Sequence, residues 1–391
     1  MPTAATTAGG TAQGTKPRGG ERQVMPTVPF IRASAEHREP AGIDVSRQLT
    51  TSDQDLGVFD IPAYGYVRRI VILVTASGGT GGSPAVTATE DAPWTTLKNI
   101  QLTEPNGAVL SQFNSGYDMY LANKWGGYRY PGGSDPKASP TYSAIGATFA
   151  SYSYMAYIPV ELNLRDGLGS LPNQNAAATF KLRLTLSAVG GIVSGTLPST
   201  LPTVRVRVYT EAWDQPEAQT AGATNQITPP AMNTTQFWTP QVYTVNAGQN
   251  TIRLTRVGNY IRNLFFVLRR AGTSRVNGQA DWPDPMYLYL DTRPLDIVEV
   301  NNWRNTMYER TGFGGAVGTT VPAQDSPQGQ DNGVFVYDFT HEFGGYLGME
   351  NRDLWLPTLG STRLEIQGNF ANAGTLTVLT NDVAIAGSVF I

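Results

Sequence analysis

Cysteine is absent from this chain of 391 residues, and histidine occurs only twice. Without cysteine the protein has no disulfide, no thiol nucleophile and no thiolate metal site. The two histidines, His37 and His341, are far apart in sequence, and only Glu342 stands beside His341 as an orienting partner. Because a general base usually needs a positioned partner within a cleft, we expect neither histidine to be catalytic.

Charged residues and long apolar runs are also scarce. Only 15% of the residues are charged, against roughly 25% in an average domain. The net charge of −3 and the pI near 5.5 argue against a broad basic surface for nucleic acid. No apolar run reaches the roughly 18 residues of a membrane-spanning helix, and the N-terminus lacks a signal-peptide pattern. We therefore expect a protein that folds in a cytoplasm and binds no specific nucleic-acid sequence.

Aromatic residues are well represented, at 10% of the chain. Few charges combined with many aromatic side chains are typical of proteins whose surface contacts other protein. An ordinary β-rich protein with polar, uncharged loops fits the composition equally well.

One stretch of sequence is written twice, 194 residues apart. Residues 66–78 read YVRRIVILVTASG and residues 260–272 read YIRNLFFVLRRAG. Aligned without gaps, both copies place a tyrosine first, an arginine third and a glycine last, with an apolar run between them. Such a run is typical of a strand that is covered on both faces.

The surroundings of the repeated strand recur in the same order. A strand-like run and then a helix-like stretch follow each copy, the helix over Gln112–Trp125 in the first half and over Ile297–Arg310 in the second. Further on, Leu171-Pro172 and the strand KLRL (181–184) are matched by Leu356-Pro357 and RLEI (363–366). A single duplication of this length indicates two domains rather than a solenoid.

Composition and pattern then place the boundaries. Residues 1–42 are rich in Thr, Ala, Gly and Pro, and we interpret them as a flexible N-terminal arm, ordered against neighbouring subunits or simply disordered. The first domain covers 43–215, a linker without periodicity covers 216–235, and the second domain covers 236–391. Many short, alternating strands separated by turn residues predict an all-β fold of sandwich or jelly-roll type in each half.

Local signals within the second domain predict two details. The strand-like runs 241–245 and 251–254 flank NAGQN and read as a hairpin. Asp296, three residues before Glu299, resembles a helix capping box, and Gly312 is expected to end the helix that follows.

Acidic residues supply few candidates for chemistry. Asp53, Asp55 and the pair Glu90-Asp91 could provide carboxylates for glycoside hydrolysis or for calcium. Neither the calcium-loop spacing nor a paired-carboxylate signature is present, so solvated turns explain them better. We assign no catalytic residue, no cofactor and no metal ligand, and we expect a protein that is not an enzyme.

Basic and aromatic residues leave two further alternatives. Arg68-Arg69 and Arg262 precede the repeated apolar run and could contact nucleic acid, but solvated strand ends fit an acidic chain better. Four tryptophans could stack on sugars if they are exposed, and buried anchors would explain them equally well: Trp94, Trp125, Trp282 and Trp355.

From about Val58 to the C-terminus the chain resembles the double jelly-roll major coat proteins of tectivirus-type bacteriophages, tailless icosahedral viruses with an internal membrane. The resemblance is clearest in VFDIPAYGYVRRIVILVTASG (58–78), YMAYIPVELN (154–163), FKLRLTLS (180–187) and GTLTVLTNDVAIAG (374–387). It implies two tandem eight-stranded jelly-roll barrels in one chain, each with a short flanking helix.

The resemblance also implies partners. Three chains would form a homotrimer with a pseudo-hexameric outline, and neighbouring trimers would tile an icosahedral shell together with minor capsid or vertex proteins. Relatives contact the internal viral membrane through an N-terminal amphipathic helix, whereas residues 1–42 show no helical stripe. The protein would be located in the virion, after synthesis and assembly in the cytoplasm of a bacterial host.

Two other classes stay open on the sequence alone. The first is a carbohydrate-binding or glycan-cleaving jelly-roll protein, such as a phage adhesin or glycosidase. The second is a minor or spike protein of the same virion.

Overall fold

The computed structural model describes residues 25–81, 85–127, 135–163, 166–230, 232–270, 275, 281–314, 329–340 and 354–384. Regular structure in this part of the chain is mainly β-strand. None of its helices is long and apolar enough to cross a membrane.

The first half of the chain contains a short helix, a longer helix and the following strands. They are β1 (Thr27–Val28), α1 (Phe30–Ala33), β2 (Glu36–Gln48), β3 (Gln54–Asp60), β4 (Tyr66–Ser77), β5 (Thr87–Ala88), β6 (Leu97–Thr103), β7 (Val109–Ser115), α2 (Gly116–Trp125), β8 (Tyr152–Pro159), β9 (Leu171–Pro172), β10 (Lys181–Leu186), β11 (Val193–Ser194) and β12 (Thr203–Trp213).

Two short strands connect the halves, and the second half follows the same plan as the first. Its elements are β13 (Gln219–Thr220), β14 (Ala223–Asn225), β15 (Thr235–Val245), β16 (Gly248–Leu254), β17 (Tyr260–Arg270), β18 (Met286–Leu290), β19 (Arg293–Val298), α3 (Val300–Thr311), β20 (Val334–Asp338), β21 (Leu356–Pro357), β22 (Leu364–Phe370) and β23 (Gly374–Ala384).

Each half folds into a barrel of eight main strands in two sheets. In the first half the sheet orders are β2-β12-β4-β8 and β3-β10-β6-β7, and in the second half they are β15-β23-β17-β20 and β16-β22-β18-β19. If the main strands of each half are counted along the chain, both barrels have the orders 1-8-3-6 and 2-7-4-5. This is the jelly-roll arrangement, and the long helix of each half lies between its fifth and sixth strands.

The repeated stretch is the third strand of each barrel, β4 and β17. Tyr66 pairs with Pro172 in β9, and Tyr260 pairs with Pro357 in β21, so the Leu-Pro echo marks the same short strand in both halves. The duplication inferred from the sequence is therefore confirmed at the level of strand pairing.

A bulge in this strand also recurs. In β4, Val67 pairs with Ala212 and Arg69 with Glu211, so that Arg68 is left between the two pairs. In β17, Ile261 and Asn263 flank the bulged Arg262 in the same way. Because a bulge inserts one unpaired residue and re-aims its side chain, the two arginines leave the regular in-and-out alternation of the strand.

The arm predicted over residues 1–42 overlaps the first barrel. β2 begins at Glu36, and ten of its 13 residues pair with β12. Before it, the buried ring of Phe30 packs on Tyr66 with a centroid distance of 5.3 Å. The composition of this segment hid the strand because apolar residues are few there, and backbone pairing rather than side-chain burial determines its conformation.

The connecting segment predicted over 216–235 is also partly ordered. β13 and β14 pair with each other, and β14 pairs with β1 in a small three-stranded sheet. β15 begins at Thr235, the last residue of the predicted linker. Main-chain pairing again orders a stretch that has no hydrophobic periodicity.

Both helices begin later than predicted. Gln112 lies in β7, and α2 begins at Gly116 because the buried Asp118 carboxylate accepts the amide of Ser115 at 3.2 Å. In the second barrel Ile297 lies at the end of β19, so the capping box predicted at Asp296 is wrong. α3 instead begins after Glu299 and ends at Gly312 as expected, with the left-handed φ of 72° that favours glycine there.

The predicted hairpin around NAGQN is wrong as well. β15 pairs with β23 and β16 pairs with β22, so the two strands belong to opposite sheets of the barrel. In a jelly roll the first and second strands always face each other across the core, and local sequence cannot distinguish this arch from a hairpin.

Candidate functional site

The two barrels are joined side by side through one shared sheet. β7, the fifth strand of the first barrel, bridges in parallel to β15, the first strand of the second barrel, with Ser111 opposite Trp238. Trp238 is fully buried and lies 5.9 Å from the ring of Phe113 and 5.8 Å from the ring of Phe265. One aromatic cluster therefore connects the two cores, and we call this joint the seam.

Helix α2 lies within the seam and is buried on all sides. All ten of its residues are buried, although a helix that packs on a single barrel exposes a polar face to solvent. Its burial includes Lys124, Asn123 and Asp118, whose polar groups must then find partners inside the protein.

Lys124 carries a fully buried charge in the seam. Its Nζ lies 2.8 Å from Asp135 Oδ2, 2.9 Å from Asp331 Oδ2 and 2.8 Å from the carbonyl oxygen of Gly329. Trp125 Nε1 also donates to Asp331 Oδ2 at 3.0 Å. Lys124 and Asp135 belong to the first barrel and Asp331 to the second, so a fully buried ion cluster ties the two barrels together.

The electrostatics of this cluster follow from burial and from one shared lysine. Burial alone would raise the pKa of Asp331, but attraction to Lys124, and more weakly to Lys137 and Arg275, lowers it to about 2. Burial raises the pKa of Asp135 despite the same lysine. Burial likewise opposes the charge of Lys124, but the two aspartates outweigh it and raise the pKa of the lysine.

A second ion cluster crosses the seam at Asp91. Arg275 Nε lies 2.8 Å from Asp91 Oδ1, and Arg269 Nη2 lies 2.6 Å from Asp91 Oδ2. The amide of Arg275 also donates to Glu90 Oε2 at 2.6 Å. Glu90 and Asp91 lie in a turn as predicted, but the predicted solvation is wrong for Asp91, which is buried as the counterion of two arginines from the other barrel.

The bulged arginines are buried rather than solvated. Arg262 donates through Nη1 to the carbonyl oxygen of Gly126 at the end of α2, at 2.8 Å, and so reaches across the seam. Arg68 donates instead to Glu161 within its own barrel at 2.8 Å, and its guanidinium lies 4.0 Å from the ring centroid of Trp213. The predicted solvated strand ends are wrong at both positions, and neither side chain is placed to contact nucleic acid.

The four candidate sugar-stacking tryptophans are buried anchors. Their side chains are 1–3% exposed: Trp94, Trp125, Trp282 and Trp355. Trp94 stacks on Tyr120, and Trp282 packs edge-on against Phe335, each at a centroid distance of 4.7 Å. A ring enclosed on both faces cannot stack on a sugar, so no surface of the described residues supports the carbohydrate-binding alternative through these side chains.

The candidate catalytic groups do not converge. His37 lies on β2, where its Nε2 is 3.3 Å from Glu39 and its ring stacks on Tyr64 at 4.2 Å. This is a surface contact on a sheet edge rather than a cleft. His341 and Glu342 lie outside the described residues.

Asp53 and Asp55 are both exposed, as expected, but only Asp53 lies outside the strands; the turn predicted at Asp55 is wrong, because Asp55 lies in β3 and pairs with Thr185. Asp53 accepts the amide of Ala188 at 2.8 Å, and Asp55 lies 2.6 Å from Arg183 Nη2. Hydrogen bonding from Lys98 is the main cause that lowers the pKa of Asp53. Among the residues that the structure describes, no group of three or more His, Asp or Glu side chains could hold a metal ion.

One cavity of about 370 Å³ opens between α3, β19 and β20. Its wall combines the apolar side chains of Trp303, Met307 and Val336 with the polar groups of Arg310 and Asp338. Trp125 at the end of α2 also lines it, so the cavity lies where the flanking helices of the two barrels approach each other.

Sequence reasoning missed the seam because its partners come from both halves of the chain. One signal was available: Lys124 stands in GYDMYLANKW, a helical stretch without a continuous polar face. A helix of that kind is a candidate for complete burial, and a lysine within it then requires a carboxylate partner.

Comparison with known proteins identifies the arrangement. No protein-family model matches the chain, and no curated protein matches it. In three dimensions it is similar to the major capsid protein of STIV, the Sulfolobus turreted icosahedral virus, with a TM-score of 0.59 and 12% identity over 90% of this chain and 97% of that one.

Two further capsid proteins give the same result. The major capsid protein of bacteriophage PM2 matches with a TM-score of 0.51 and 10% identity, over 91% of this chain and 99% of that one. The faustovirus major capsid protein matches with a TM-score of 0.50 and 10% identity, over 90% and 91%. The chain therefore has the double jelly-roll fold of these viral major capsid proteins, over nearly their whole length.

Proposed function

We propose that this chain is a structural major capsid protein that trimerises into pseudo-hexameric capsomers and tiles an icosahedral virus shell. The observation that carries the proposal is the pair of barrels with identical strand order, fixed side by side by a shared sheet and by buried ion clusters. The fold match to major capsid proteins over about 90% of the chain supports it.

The seam gives the pair of barrels a defined geometry. Lys124, Asp91 and Arg262 each make short polar contacts across it, and Trp238 fills the apolar part between them. A buried polar network that is fully paired favours one arrangement over others. Three such pairs arranged around a threefold axis present six similar barrels, which is the outline that a close-packed shell requires.

The proposal includes partners and location. The chain's first partner is itself, as a homotrimer, and the next partners are neighbouring trimers, minor capsid or vertex proteins, and the internal viral membrane. The proposal includes no sequence-specific nucleic-acid partner, because the chain is acidic overall. The mature location is the virion, after assembly in the cytoplasm of a bacterial host.

Sedimentation equilibrium at micromolar concentration, with electron microscopy of the same sample, tests this function. We expect trimers with a six-lobed outline. A protein that stays monomeric over the whole concentration range would refute the proposal. In purified particles the copy number of the chain separates a major coat protein, present in hundreds of copies, from a minor or spike protein.

A further inference from the structure

The strands and helix that form the seam have counterparts elsewhere in the chain that form no such joint. The seam is formed by the fifth strand and flanking helix of the first barrel, β7 and α2, against the first strand of the second barrel, β15. Because the second barrel repeats the first, β19 and α3 are the counterparts of β7 and α2, and β2 is the counterpart of β15.

Both counterparts lie at sheet edges. Within the described residues β19 pairs only with β18, and β2 pairs only with β12. Of the twelve residues of α3 four are buried, whereas all ten of α2 are. Ile297 in β19 is 56% exposed, and Tyr308 in α3 is 51% exposed. Natural proteins usually cover or pair an open edge of this kind.

The strand registers identify the residues that correspond on the receiving strand. Next to the bulge of the first barrel Glu211 faces Arg38 of β2, and next to the bulge of the second barrel Asn381 faces Trp238 of β15. Arg38 is therefore the counterpart of Trp238. Pro40 of β2 likewise occupies the position of Pro240 in β15.

The same comparison identifies the residues on the docking strand. In the first barrel Ser111 of β7 faces Leu102, which in turn faces Leu182. In the second barrel Arg293 of β19 faces Leu290, which faces Leu364, the residue that matches Leu182 in the echo KLRL and RLEI. Arg293 is therefore the counterpart of Ser111.

We propose that β19 and α3 of one chain dock on β2 of a second copy, in the parallel sense of the seam, with Arg293 next to Arg38 of the neighbour. This inference rests on the proposed trimer and specifies the surface that builds it. The contact is heterologous, since one chain gives β19 and receives on β2, and such a contact closes into a ring only at a defined number of copies.

The charges of the two edges are compatible with this docking. Arg38 is already paired with Glu211 at 2.7 Å, and Glu36 and Glu39 stand close to it along β2. Glu36 is the counterion of Arg68, so the partly exposed carboxylate of Glu39 is the group on this edge that can attract the exposed Arg293. Pro294 in β19 cannot donate a main-chain hydrogen bond, which agrees with a joint that, like the seam, consists of one short bridge.

The new joint cannot copy the seam at every contact. Arg262 crosses the seam to the end of α2, but its counterpart Arg68 is held inside its own barrel by Glu161. The docking therefore depends on the strand edges and on the exposed face of α3. This difference makes the joint between chains weaker than the joint within a chain, as is required if chains fold before they associate.

Cysteine cross-linking tests the inference in a chain that has no cysteine of its own. The variant Arg38→Cys/Arg293→Cys is treated with a short bismaleimide and analysed by denaturing gel electrophoresis. We expect most of the monomer band to move to a covalent trimer, with no larger product. Each single variant should stay monomeric, because the docking brings together two different residues.

A matched control keeps Arg293→Cys and moves the other cysteine to Arg183, an exposed residue of β10 that is paired on both sides. This variant should stay monomeric on the gel. Sedimentation of each sample before cross-linking separates the two proposals. Trimers in solution without a covalent trimer, or with a covalent dimer as the largest product, would overturn the docking alone, whereas monomers in solution would overturn the proposed function as well.

Discussion

Replacing Lys124 with methionine is the most direct test of the seam. The substitution keeps the length of the side chain and removes a fully buried ammonium from two carboxylates and from the carbonyl oxygen of Gly329. Loss of one partner from a buried ion pair typically costs about 3–5 kcal/mol, because the other charge stays buried without a counterion. We therefore expect Lys124→Met to lower the free energy of unfolding by about 3–5 kcal/mol at pH 7.

The pH dependence follows from the pKa values of the two aspartates. In the native protein the pKa of Asp331 is about 2, below the value of roughly 3.9 of an unfolded aspartate. A depressed pKa contributes stability that is present above about pH 4 and is lost as the pH falls towards 2. Without Lys124, burial raises the pKa of both Asp331 and Asp135, and a raised carboxyl pKa reduces stability as the pH rises. The cost of Lys124→Met should therefore grow between about pH 4 and pH 7.

Urea denaturation followed by tryptophan fluorescence measures this cost, and Trp125 at the seam reports on the site itself. Lys181→Met is the matched control, because Lys181 is half-exposed and pairs with Asp60 on the surface; it should cost less than about 1 kcal/mol. The triple variant Lys124→Met/Asp135→Asn/Asp331→Asn should recover much of the loss. A cost of Lys124→Met below about 1 kcal/mol, or one that is constant between pH 4 and pH 7, would refute the role given to the ion cluster.

Three further outcomes can be measured. Gly65→Ala should lower the free energy of unfolding by about 2–3 kcal/mol, because Gly65 has a positive φ and a Cβ there would collide with the carbonyl oxygen of Trp213. Gly107 also has a positive φ but has open space around it, so Gly107→Ala should lower the free energy of unfolding, measured by urea denaturation, by only about 1 kcal/mol. Trp238→Ala should cost about 3–5 kcal/mol and separate the unfolding of the two barrels in calorimetry. Deleting residues 1–24 should leave the melting temperature unchanged and reduce the yield of closed shells, whereas a deletion that also removes Phe30 should lower the melting temperature.

The duplicated fold could be predicted because its signal is repeated and local. The third strand carries its own apolar run, and each copy is followed by the same order of strand, helix and Leu-Pro pair. The first residues of β10 and β12 alternate in burial as their sequences alternate, so this part of their exposure follows from a period of two. A 13-residue match alone could arise by chance. The match is convincing because the strand, the helix and the Leu-Pro pair that follow each copy also recur in the same order.

The seam and its charges could not be predicted in the same way. Asp331 lies more than 200 positions from Lys124, and its neighbours Gln330 and Asn332 read as an ordinary polar loop. The burial of Asp91 could not be predicted for the same reason. Its two partners, Arg269 and Arg275, lie far away in sequence and belong to the other barrel. β2 was hidden because its conformation depends on pairing with ten residues of β12 that lie more than 150 positions away.

The two bulged arginines show how a duplicated fold comes to make two different joints. In the second barrel Arg262 donates to the carbonyl oxygen of Gly126 at the end of α2, so its side chain stabilises the seam within the chain. In the first barrel the same bulge carries Arg68, but Glu161 and Glu36, each 2.8 Å away, together with the face of Trp213, leave its side chain only 9% exposed. A buried arginine left without partners would be costly, and a chain that must be stable before it meets its neighbours cannot leave that position for another molecule to fill. The two copies keep the arginine and differ in its partner, and this difference separates folding from association: a buried charge stabilises the joint within the chain, and the open edges of β2 and β19 stay available for contacts that form later.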